Sequence, residues 1–305
     1  MREVNLTYLE NDENRVDKYF DLFGFDSRSE FQSLIKDGNF FVNGKKEKQN
    51  YKLREKDIVK IVFPEVQKPS TEGIEIPFLF ENENIIVLNK PPFIAVHGAK
   101  SYNGPTLVDW LLDRGYKLSD GEDETRPGVV HRLDADTSGV IIFAKNNEAH
   151  AILKRDFQEK NIEKHYFAIS NGVSKSDEFT IDKPIARSKN PVKMGIVEGG
   201  RRAVSIVKKL DGNDFFTLFD VKIITGRTHQ IRVHLASENL PVLGDKVYGM
   251  KRERINVSRQ MLHAHSIEFL EPLNREKIKI EAPIFDDMKE ALKKADLSLD
   301  KTTYL

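Results

Sequence analysis

The segment from His131 to Gly139 contains residue types that could do acid–base or nucleophilic chemistry. It reads His-Arg-Leu-Asp-Ala-Asp-Thr-Ser-Gly and so combines an imidazole, a guanidinium, two carboxylates and two hydroxyls. An apolar run, Val140 to Ala144, follows directly and predicts a buried strand. Polar groups in a loop beside a rigid strand are a common setting for catalysis. A structural ion pair that closes a turn is equally compatible with these residues.

A second candidate is the segment from Gly226 to His234, which reads Gly-Arg-Thr-His-Gln-Ile-Arg-Val-His. The pattern predicts a turn and then a helix that Thr228 caps. The free backbone amides at the start of such a helix, together with Arg227, would form a site for a phosphate. His229 and Arg232 are three residues apart and would project from one helical face. The alternative is a surface helix whose charged side faces solvent.

Several histidines raise the question of a metal site: His131, His229, His234, His263 and His265. His229 and His234 are five residues apart, so on a helix they diverge by about 140°. Zinc sites on one helix use a spacing of four, and that motif is absent. His263 and His265 would share one face of a strand, but structural histidines are commoner there. We therefore predict no metal.

Composition excludes several classes of protein. Lys and Arg (48) balance Asp and Glu (48) in 305 residues, so no global basic field indicates a nucleic-acid partner. There is no cysteine, which excludes disulfides and thiol catalysis. No apolar run approaches the roughly 20 residues of a membrane span, and the polar N-terminus lacks the apolar core of a signal peptide. We expect a cytoplasmic protein. Phosphate-loop, dinucleotide and serine-elbow motifs are absent, so no cofactor is predicted.

The first 65 residues predict a small domain of two helices and a short sheet. Val16, Tyr19, Phe20 and Phe23 have the spacing of one helical face. A second helix has Phe31, Leu34 and Ile35 at the same spacing, with Ser27 or Ser29 as its cap. Strands are predicted at Phe40–Val42, before a tight Asn43-Gly44 turn, and at Asp57–Phe63. Residues 66–76 are polar and predict a linker.

Residues 77–305 predict a second, larger domain in which strands often follow one another without a helical crossover. This order favours an α+β fold with a mixed, largely antiparallel sheet flanked by helices and loops.

Tyr166 lies mid-strand with Lys164 and Ala168 on its own face, and a core role and a catalytic role are both open for it. A basic stretch could be a solvated loop or could follow a phosphate backbone: Lys183, Arg187, Lys189, Lys193, Arg201, Arg202, Lys208 and Lys209. The predicted elements are strands at 85–89, 140–145, 162–169, 215–224, 267–269 and 277–280, and helices at 106–112, 148–160, 229–237 and 288–297.

Most of the second domain resembles the RluA-type family of RNA pseudouridine synthases. The family's most specific signature, His-Arg-Leu-Asp followed by Thr-Ser-Gly, stands at His131 to Gly139. Other family elements occur in the expected order: Lys90-Pro91, Lys164 to Ala168, Gly226 to His234, Pro241 to Asp245 with Tyr248-Gly249, and Leu262-His263-Ala264. The first domain contains four short motifs: Asn14-Arg15-Val16-Asp17, Ser27-Arg28-Ser29, Ile35-Lys36-Asp37-Gly38 and Val42-Asn43-Gly44. On these motifs it resembles the S4-type RNA-binding domain, a small α/β module. Glu30 and the segment Glu55 to Asp57 depart from the S4 pattern.

The resemblance assigns roles to individual residues. It implies that Asp134 is the catalytic carboxylate, that Arg232 is its cationic partner and that Tyr166 lies beside the uracil. Arg132 would fill the gap left by the flipped nucleotide, and Leu262 would pack on the uracil face. Spacing alone does not select Asp134 over Asp136. Further RNA or substrate contacts are expected at His131, Arg227, His229 and Lys90.

The reaction implied is the isomerisation of uridine to pseudouridine, which needs no redox step. Attack on the base, attack on the sugar and a glycal route all remain open. Large-subunit ribosomal RNA is favoured as substrate because S4-bearing members of the family commonly act there, and transfer RNA is the alternative. A hydrolytic enzyme that removes RNA bases and a non-catalytic RNA-binding protein are the competing functions. We expect a monomer that does not associate with membranes.

Overall fold

The computed structural model describes residues 2–10, 14–25, 27–63, 69–98, 102–121, 126–188 and 193–299. The chain divides into two compact units, Met1–Lys68 and Pro69–Leu305. The division lies inside the predicted linker 66–76. Residues 66–68 of this linker are outside the described residues. Lys189, from the predicted basic stretch, is also outside them. Ile76 is buried in the core of the second unit, and the Ile74 carbonyl accepts a hydrogen bond from Trp110. The last residues of the predicted linker therefore pack as part of the second unit.

The first unit is a four-stranded antiparallel sheet with one α-helix. Its elements are β1 (Arg2–Thr7), a 3-10 helix (Val16–Lys18), α1 (Arg28–Lys36), β2 (Phe40–Val42), β3 (Lys45–Lys46) and β4 (Ile58–Phe63), with strand order β1-β4-β2-β3. The Ser27 side chain accepts a hydrogen bond from the Glu30 amide and so caps α1, which decides between the two caps predicted, Ser27 and Ser29. Asn43 and Gly44 both have positive φ, as a tight hairpin turn requires.

The helix predicted from Val16 to Phe23 is wrong, because only the short 3-10 turn Val16–Lys18 forms. Phe23 and Phe25 are both buried in the aromatic core, and on a helix two residues so spaced would point about 200° apart. Burial of both side chains therefore argues against a helix that continues from Phe23 to Phe25. Strand β1 was also missed, because its sequence is too polar to indicate that it pairs with β4.

The second unit is built from fifteen named elements: β5 (Phe78–Glu81), β6 (Ile85–Lys90), α2 (Leu107–Asp113), β7 (Ser138–Ala144), α3 (Asn147–Glu159), β8 (Glu163–Asn171), β9 (Glu178–Asp182), β10 (Ile185–Arg187), β11 (Met194–Ile196), β12 (Val204–Gly212), β13 (Phe216–Ile223), α4 (Gln230–Ser237), β14 (Leu262–Leu270), β15 (Lys277–Glu281) and α5 (Asp286–Lys294). Nine of the strands form one sheet that is antiparallel except where β7 meets β14, which confirms the predicted fold class. The strand order is β5-β6-β7-β14-β8-β13-β12-β9, and β15 also pairs with β14. Strands β10 and β11 form a separate hairpin.

Both faces of the large sheet are covered, which explains why β6 and β7 are apolar without alternation. Tyr166 and Phe167, adjacent in β8, belong to different core clusters because successive side chains of a strand point to opposite faces. The face that carries Tyr166, here the front face, packs against α2 and α4. The face that carries Phe167, here the back face, packs against α5.

Gly139 allows the signature segment to pass close to β14. Its φ is +117°, and a Cβ atom there would lie 2.2 Å from the Ala264 carbonyl oxygen. No other residue fits this position, where β7 and β14 make their short parallel contact. Among the described residues, no helix combines the length and apolar character needed to cross a bilayer.

Candidate active site

The predicted site residues converge on one cleft of about 480 Å³ on the front face, a volume that suits a nucleotide-sized group. The cleft is lined by the signature segment, β8, the start of α4, β14 and the end of α3. Eight of the nine predicted residues line it: His131, Arg132, Asp134, Tyr166, Arg227, His229, Arg232 and Leu262. The ninth, Lys90, lies elsewhere.

Arg232 joins two carboxylates at the centre of the cleft. Its Nη1 donates to Asp134 Oδ2 at 2.8 Å, while Nε and Nη2 donate to the two oxygens of Asp245 at 2.7 and 2.9 Å. Asp245 is fully buried, whereas the Asp134 side chain is 23% exposed. The other Asp134 oxygen, Oδ1, lies 3.9 Å from His229 Nε2, beyond hydrogen-bond distance. One oxygen of a carboxylate that Arg232 holds in place therefore faces the cleft.

The charges of this cluster stabilise one another. Burial opposes the charge of Arg232, but the hydrogen bond to Asp245 and the charge of Asp134 outweigh it and raise the pKa of Arg232. Burial likewise opposes ionisation of Asp245, and the bonds from Arg232 and from the Tyr248 and Val247 amides lower its pKa overall. Asp245 therefore anchors the guanidinium, and the guanidinium in turn orients Asp134. Asp245 belongs to a family motif in the sequence, but no role was predicted for it.

The four residues that follow Asp134 are each fixed by a hydrogen bond. Each is bonded by a different buried side chain from outside the loop. The four contacts are Lys90 Nζ to Ala135 O (2.7 Å), Arg259 Nη1 to Asp136 O (3.1 Å), Gln260 Nε2 to Thr137 Oγ1 (2.8 Å) and His263 Nδ1 with Ser138 Oγ (2.9 Å). Such support restricts the movement of Asp134. Asp136 is not among the residues that line the cleft.

Lys90 supports the loop, and the predicted RNA contact is wrong. The residue is 0% exposed, and its ammonium donates to the carbonyls of Pro91, Ile94 and Ala135. These acceptors use all three donors of a lysine. Burial lowers the pKa of Lys90 to about 7. Arg259 has a similar supporting position, is also fully buried, and was not singled out from the sequence.

His131 forms part of the cleft wall as a neutral ring. Its Nε2 accepts a hydrogen bond from the Ile142 amide at 2.9 Å, and its ring stacks on Phe157 with centroids 4.6 Å apart. Burial, helped by the charge of Lys164, lowers the pKa of His131 to about 3. The acceptor nitrogen is thus already occupied inside the protein. Arg132, the next residue, is exposed at the cleft.

The start of α4 differs from the prediction. Thr228 makes no capping hydrogen bond, and the N-cap residue is His229, with φ +56° in the left-handed region. The turn is held instead by Gln230, whose Oε1 accepts from the Arg227 amide and the Thr225 hydroxyl. His229 Nδ1 lies 2.9 Å from the Tyr248 hydroxyl, which also accepts from an amide. This contact turns His229 Nε2 toward Asp134. Gln230 and Tyr248 were missed as contributors to the site.

Tyr166 lies on the front face, in the wall of the cleft. Its hydroxyl has no hydrogen-bond partner in the part of the chain that the structure describes. Burial and the charge of Asp134 raise the pKa of Tyr166, so the phenol stays protonated and can donate a proton but not accept one as phenolate. Leu262, from β14, adds an apolar surface to the same cleft.

The back face carries a separate polar cluster that the sequence did not reveal. Asp220 accepts hydrogen bonds from His165 at 2.9 Å and His265 at 3.0 Å, and the ligand atoms of the three lie within 4.8 Å of one another. Burial opposes ionisation of Asp220, but the two imidazoles lower its pKa to about 2. His263 is not in this cluster, because its nitrogens contact Ser138 and the Ala282 carbonyl. Hydrogen bonds therefore explain the cluster without an ion.

Comparison with known proteins gives the same assignment along the whole chain. The family described as RNA pseudouridylate synthase matches residues 84–237, and the S4 domain matches residues 15–59. A Bacillus subtilis protein named as the uncharacterized RNA pseudouridine synthase YlyB is 36% identical over 297 residues, covering 96% of this chain and 98% of that protein. An Aquifex aeolicus protein named as an uncharacterized RNA pseudouridine synthase is 40% identical over 285 residues, covering 88% and 89%.

Solved structures share the fold. Human RNA pseudouridylate synthase domain containing 4 superposes with a TM-score of 0.58 at 22% identity, over 73% of this chain and 94% of that one. The clustering of the signature residues in one cleft, the family match and the full-length relatives agree. The chain belongs to the family of RNA pseudouridine synthases and is an isomerase with an N-terminal S4 domain.

Proposed function

We propose that this enzyme converts specific uridines of large-subunit ribosomal RNA to pseudouridine in the cytoplasm, acting as a monomer. The match to an S4 domain at residues 15–59 supports a structured RNA as substrate. The observation that supports the chemistry is Asp134, whose Oδ2 is fixed by Arg232 while Oδ1 faces the cleft.

The reaction breaks the bond between N1 of uracil and C1′ of ribose and forms one between C5 and C1′. C5 loses its proton and N1 gains one, so atoms and charge balance without a cofactor. The uridine must leave the RNA stack before the cleft can enclose it. The exposed Arg132 can occupy the vacated position, because a planar guanidinium stacks on bases.

Each remaining residue has a task that its surroundings favour. Asp134 acts as nucleophile or base toward the nucleotide, with Arg232 stabilising its ionised form. Tyr166 contacts the base with its ring and has a protonated hydroxyl available for donation. Leu262 packs on the uracil, and Arg227 lies at the cleft where it can meet a phosphate.

The test is to map pseudouridine in total RNA by carbodiimide labelling and reverse-transcription stops, with and without the gene. We expect one or a few large-subunit sites to disappear without the gene and to return with the wild-type gene. A site lost from transfer RNA would redirect the substrate assignment. Loss of no site in any RNA would overturn the proposed function.

A variant pair tests the role of Asp134. Asp134→Asn should lower pseudouridine formation by at least about 10³-fold while RNA binding and folding persist. Asp136→Asn is the matched control, since it removes a carboxylate two residues away that does not line the cleft. The control should retain activity. Release of free uracil by the wild type would indicate hydrolysis in place of isomerisation.

A further inference from the structure

Lys164 is a charged residue of the cleft that the proposed chemistry does not use. It lies in β8 two residues before Tyr166, so both side chains project from the same face of the strand, about 7 Å apart. Lys164 is only 8% exposed and lines the cleft. Within the described residues, its ammonium has neither a hydrogen-bond nor an ion-pair partner.

The surroundings of this ammonium are neutral. Its Nζ lies 5.2 Å from the centre of the Phe157 ring. The His131 ring, which stacks on the same Phe157 ring, is uncharged and already bonded to an amide. Burial lowers the pKa of Lys164 to about 8. An isolated buried charge is unfavourable, and proteins normally pair it. Lys90 illustrates the usual solution, because three carbonyls accept hydrogen bonds from its fully buried ammonium.

The cleft as a whole is strongly cationic although the chain has no net charge. One carboxylate, Asp134, lies among the described lining residues, and it is already paired with Arg232. Lysine and arginine line the cleft at six positions: Arg132, Lys154, Lys160, Lys164, Arg227 and Arg232. The end of α3 contributes Lys154 and Phe157 next to Lys164. Among the described residues that line the cleft, none offers Lys164 a carboxylate, so the ligand is the expected source of an anion.

We propose that Lys164, between Phe157 and Tyr166, is the floor of a phosphate subsite that binds an RNA backbone phosphate next to the flipped uridine. The assignment rests on the proposed function. A uracil carbonyl carries only a partial charge, whereas a phosphate supplies the full negative charge that an unpaired ammonium in a dry site needs. With the base on Tyr166, the phosphate of the same strand lies within the reach of a lysine two residues away.

The test compares Lys164→Met, which keeps the shape of the side chain and removes the charge, with Lys164→Arg, which keeps the charge. Lys279→Met, at a half-exposed position in β15 outside the cleft, is the matched control. The substrate is a synthetic RNA containing the uridine identified by the mapping. For each protein, kcat and KM are measured between 50 and about 300 mM salt, where phosphate contacts set the slope of log KM against log salt.

We expect Lys164→Met to raise KM about 10-fold with little change in kcat, and to reduce the salt slope by about 0.7–0.9, the effect of one lost phosphate contact. Lys164→Arg should keep the slope, and the thermal midpoint of Lys164→Met should equal or exceed that of wild type. Above pH 8, KM should rise in wild type but not in Lys164→Met.

An unchanged KM and salt slope in Lys164→Met would overturn the subsite, as would a loss confined to kcat. Both results need an active wild type, so they are distinct from failure of the proposed function, in which wild type itself forms no pseudouridine.

Discussion

Each face of the large sheet carries a charged side chain that lies between two hydrogen-bonding partners. On the front, Arg232 lies between Asp134 and Asp245; on the back, Asp220 lies between His165 and His265. The back cluster uses both oxygens of its central carboxylate inside the protein. Within the described residues, the front cluster leaves Asp134 Oδ1 without a hydrogen bond. Lys164, in the same cleft, has neither a hydrogen-bond nor an ion-pair partner there.

This difference separates a structural network from a functional one. Buried polar groups are normally satisfied, because each unpaired one lowers stability by about 1–3 kcal/mol. The complete back cluster therefore needs no ligand to explain it. In the front cluster, Asp134 Oδ1 and the Lys164 ammonium lack partners among the described residues. In the proposed function, a flipped uridine and its phosphate would supply these partners. Residues His165 and Tyr166 are adjacent in β8 yet belong to different networks.

The strongest test of the comparison removes the centre of the front cluster. Arg232→Met leaves Asp245 buried without its partner, so we expect about 3–5 kcal/mol of destabilisation together with loss of activity. Urea unfolding and pseudouridine formation measure the two effects. The double variant Arg232→Met/Asp245→Asn removes the stranded charge and should recover most of the stability but no activity. If the double variant is as unstable as the single one, the unpaired charge of Asp245 is not the cause of the lost stability.

Removal of the centre of the back cluster should affect stability alone. Asp220→Asn weakens two hydrogen bonds to an ionised group, and we expect a loss of about 2–3 kcal/mol at pH 7. Turnover should stay within about two-fold of wild type, since the cluster lies on the opposite face from Tyr166. The folded-state pKa of about 2 is below the unfolded value, so this stabilisation holds above about pH 4 and fades as the pH falls toward 2. A fall in turnover with unchanged stability would contradict the structural assignment.

The sequence predicted regular elements well and long-range polar contacts poorly. The strand at 162–169 and the helix at 148–160 were each found to within two residues, because their apolar spacing is local. Nothing local marks Asp220 as the partner of His165 and His265, since these contacts depend on which strands are neighbours.

Within the site, the residues predicted were those that carry the family's motifs. Those missed act through others: Asp245 orients Arg232, Gln230 holds the turn before α4, and Arg259 holds the loop of Asp134. Lys90 was misassigned, because a lysine in a motif gives no sign of whether its ammonium faces solvent or backbone carbonyls. Burial decided that question, and burial depends on the complete fold.

The two faces should also differ in their response to acid. His131, at the cleft, has a pKa of about 3 because it is buried, compared with about 6.5 when unfolded. The unfolded state binds its proton first, so stability is full above about pH 6.5 and is lost progressively as the pH falls toward 3. At pH 5 this loss is about 2 kcal/mol. His131→Gln should reduce the difference in unfolding free energy between pH 7 and pH 5 by this amount. An identical pH dependence in both proteins would show that His131 does not titrate in this way.

The smallest expected change in stability distinguishes Tyr166, in the cleft wall, from Tyr248, which contacts the cleft residue His229. Tyr166→Phe removes a hydroxyl without a hydrogen-bond partner among the described residues, so its unfolding free energy should change by less than about 0.5 kcal/mol. Tyr248→Phe removes a hydroxyl that accepts from the Met194 amide and contacts His229, and should lower stability by about 1 kcal/mol. The raised pKa keeps the Tyr166 hydroxyl protonated, and the proposed function uses it as a proton donor, so Tyr166→Phe should nevertheless lower kcat by about 10²-fold. Equal kcat in Tyr166→Phe and wild type would restrict this residue to contacts made by its ring, and the front face would then donate its proton from another group.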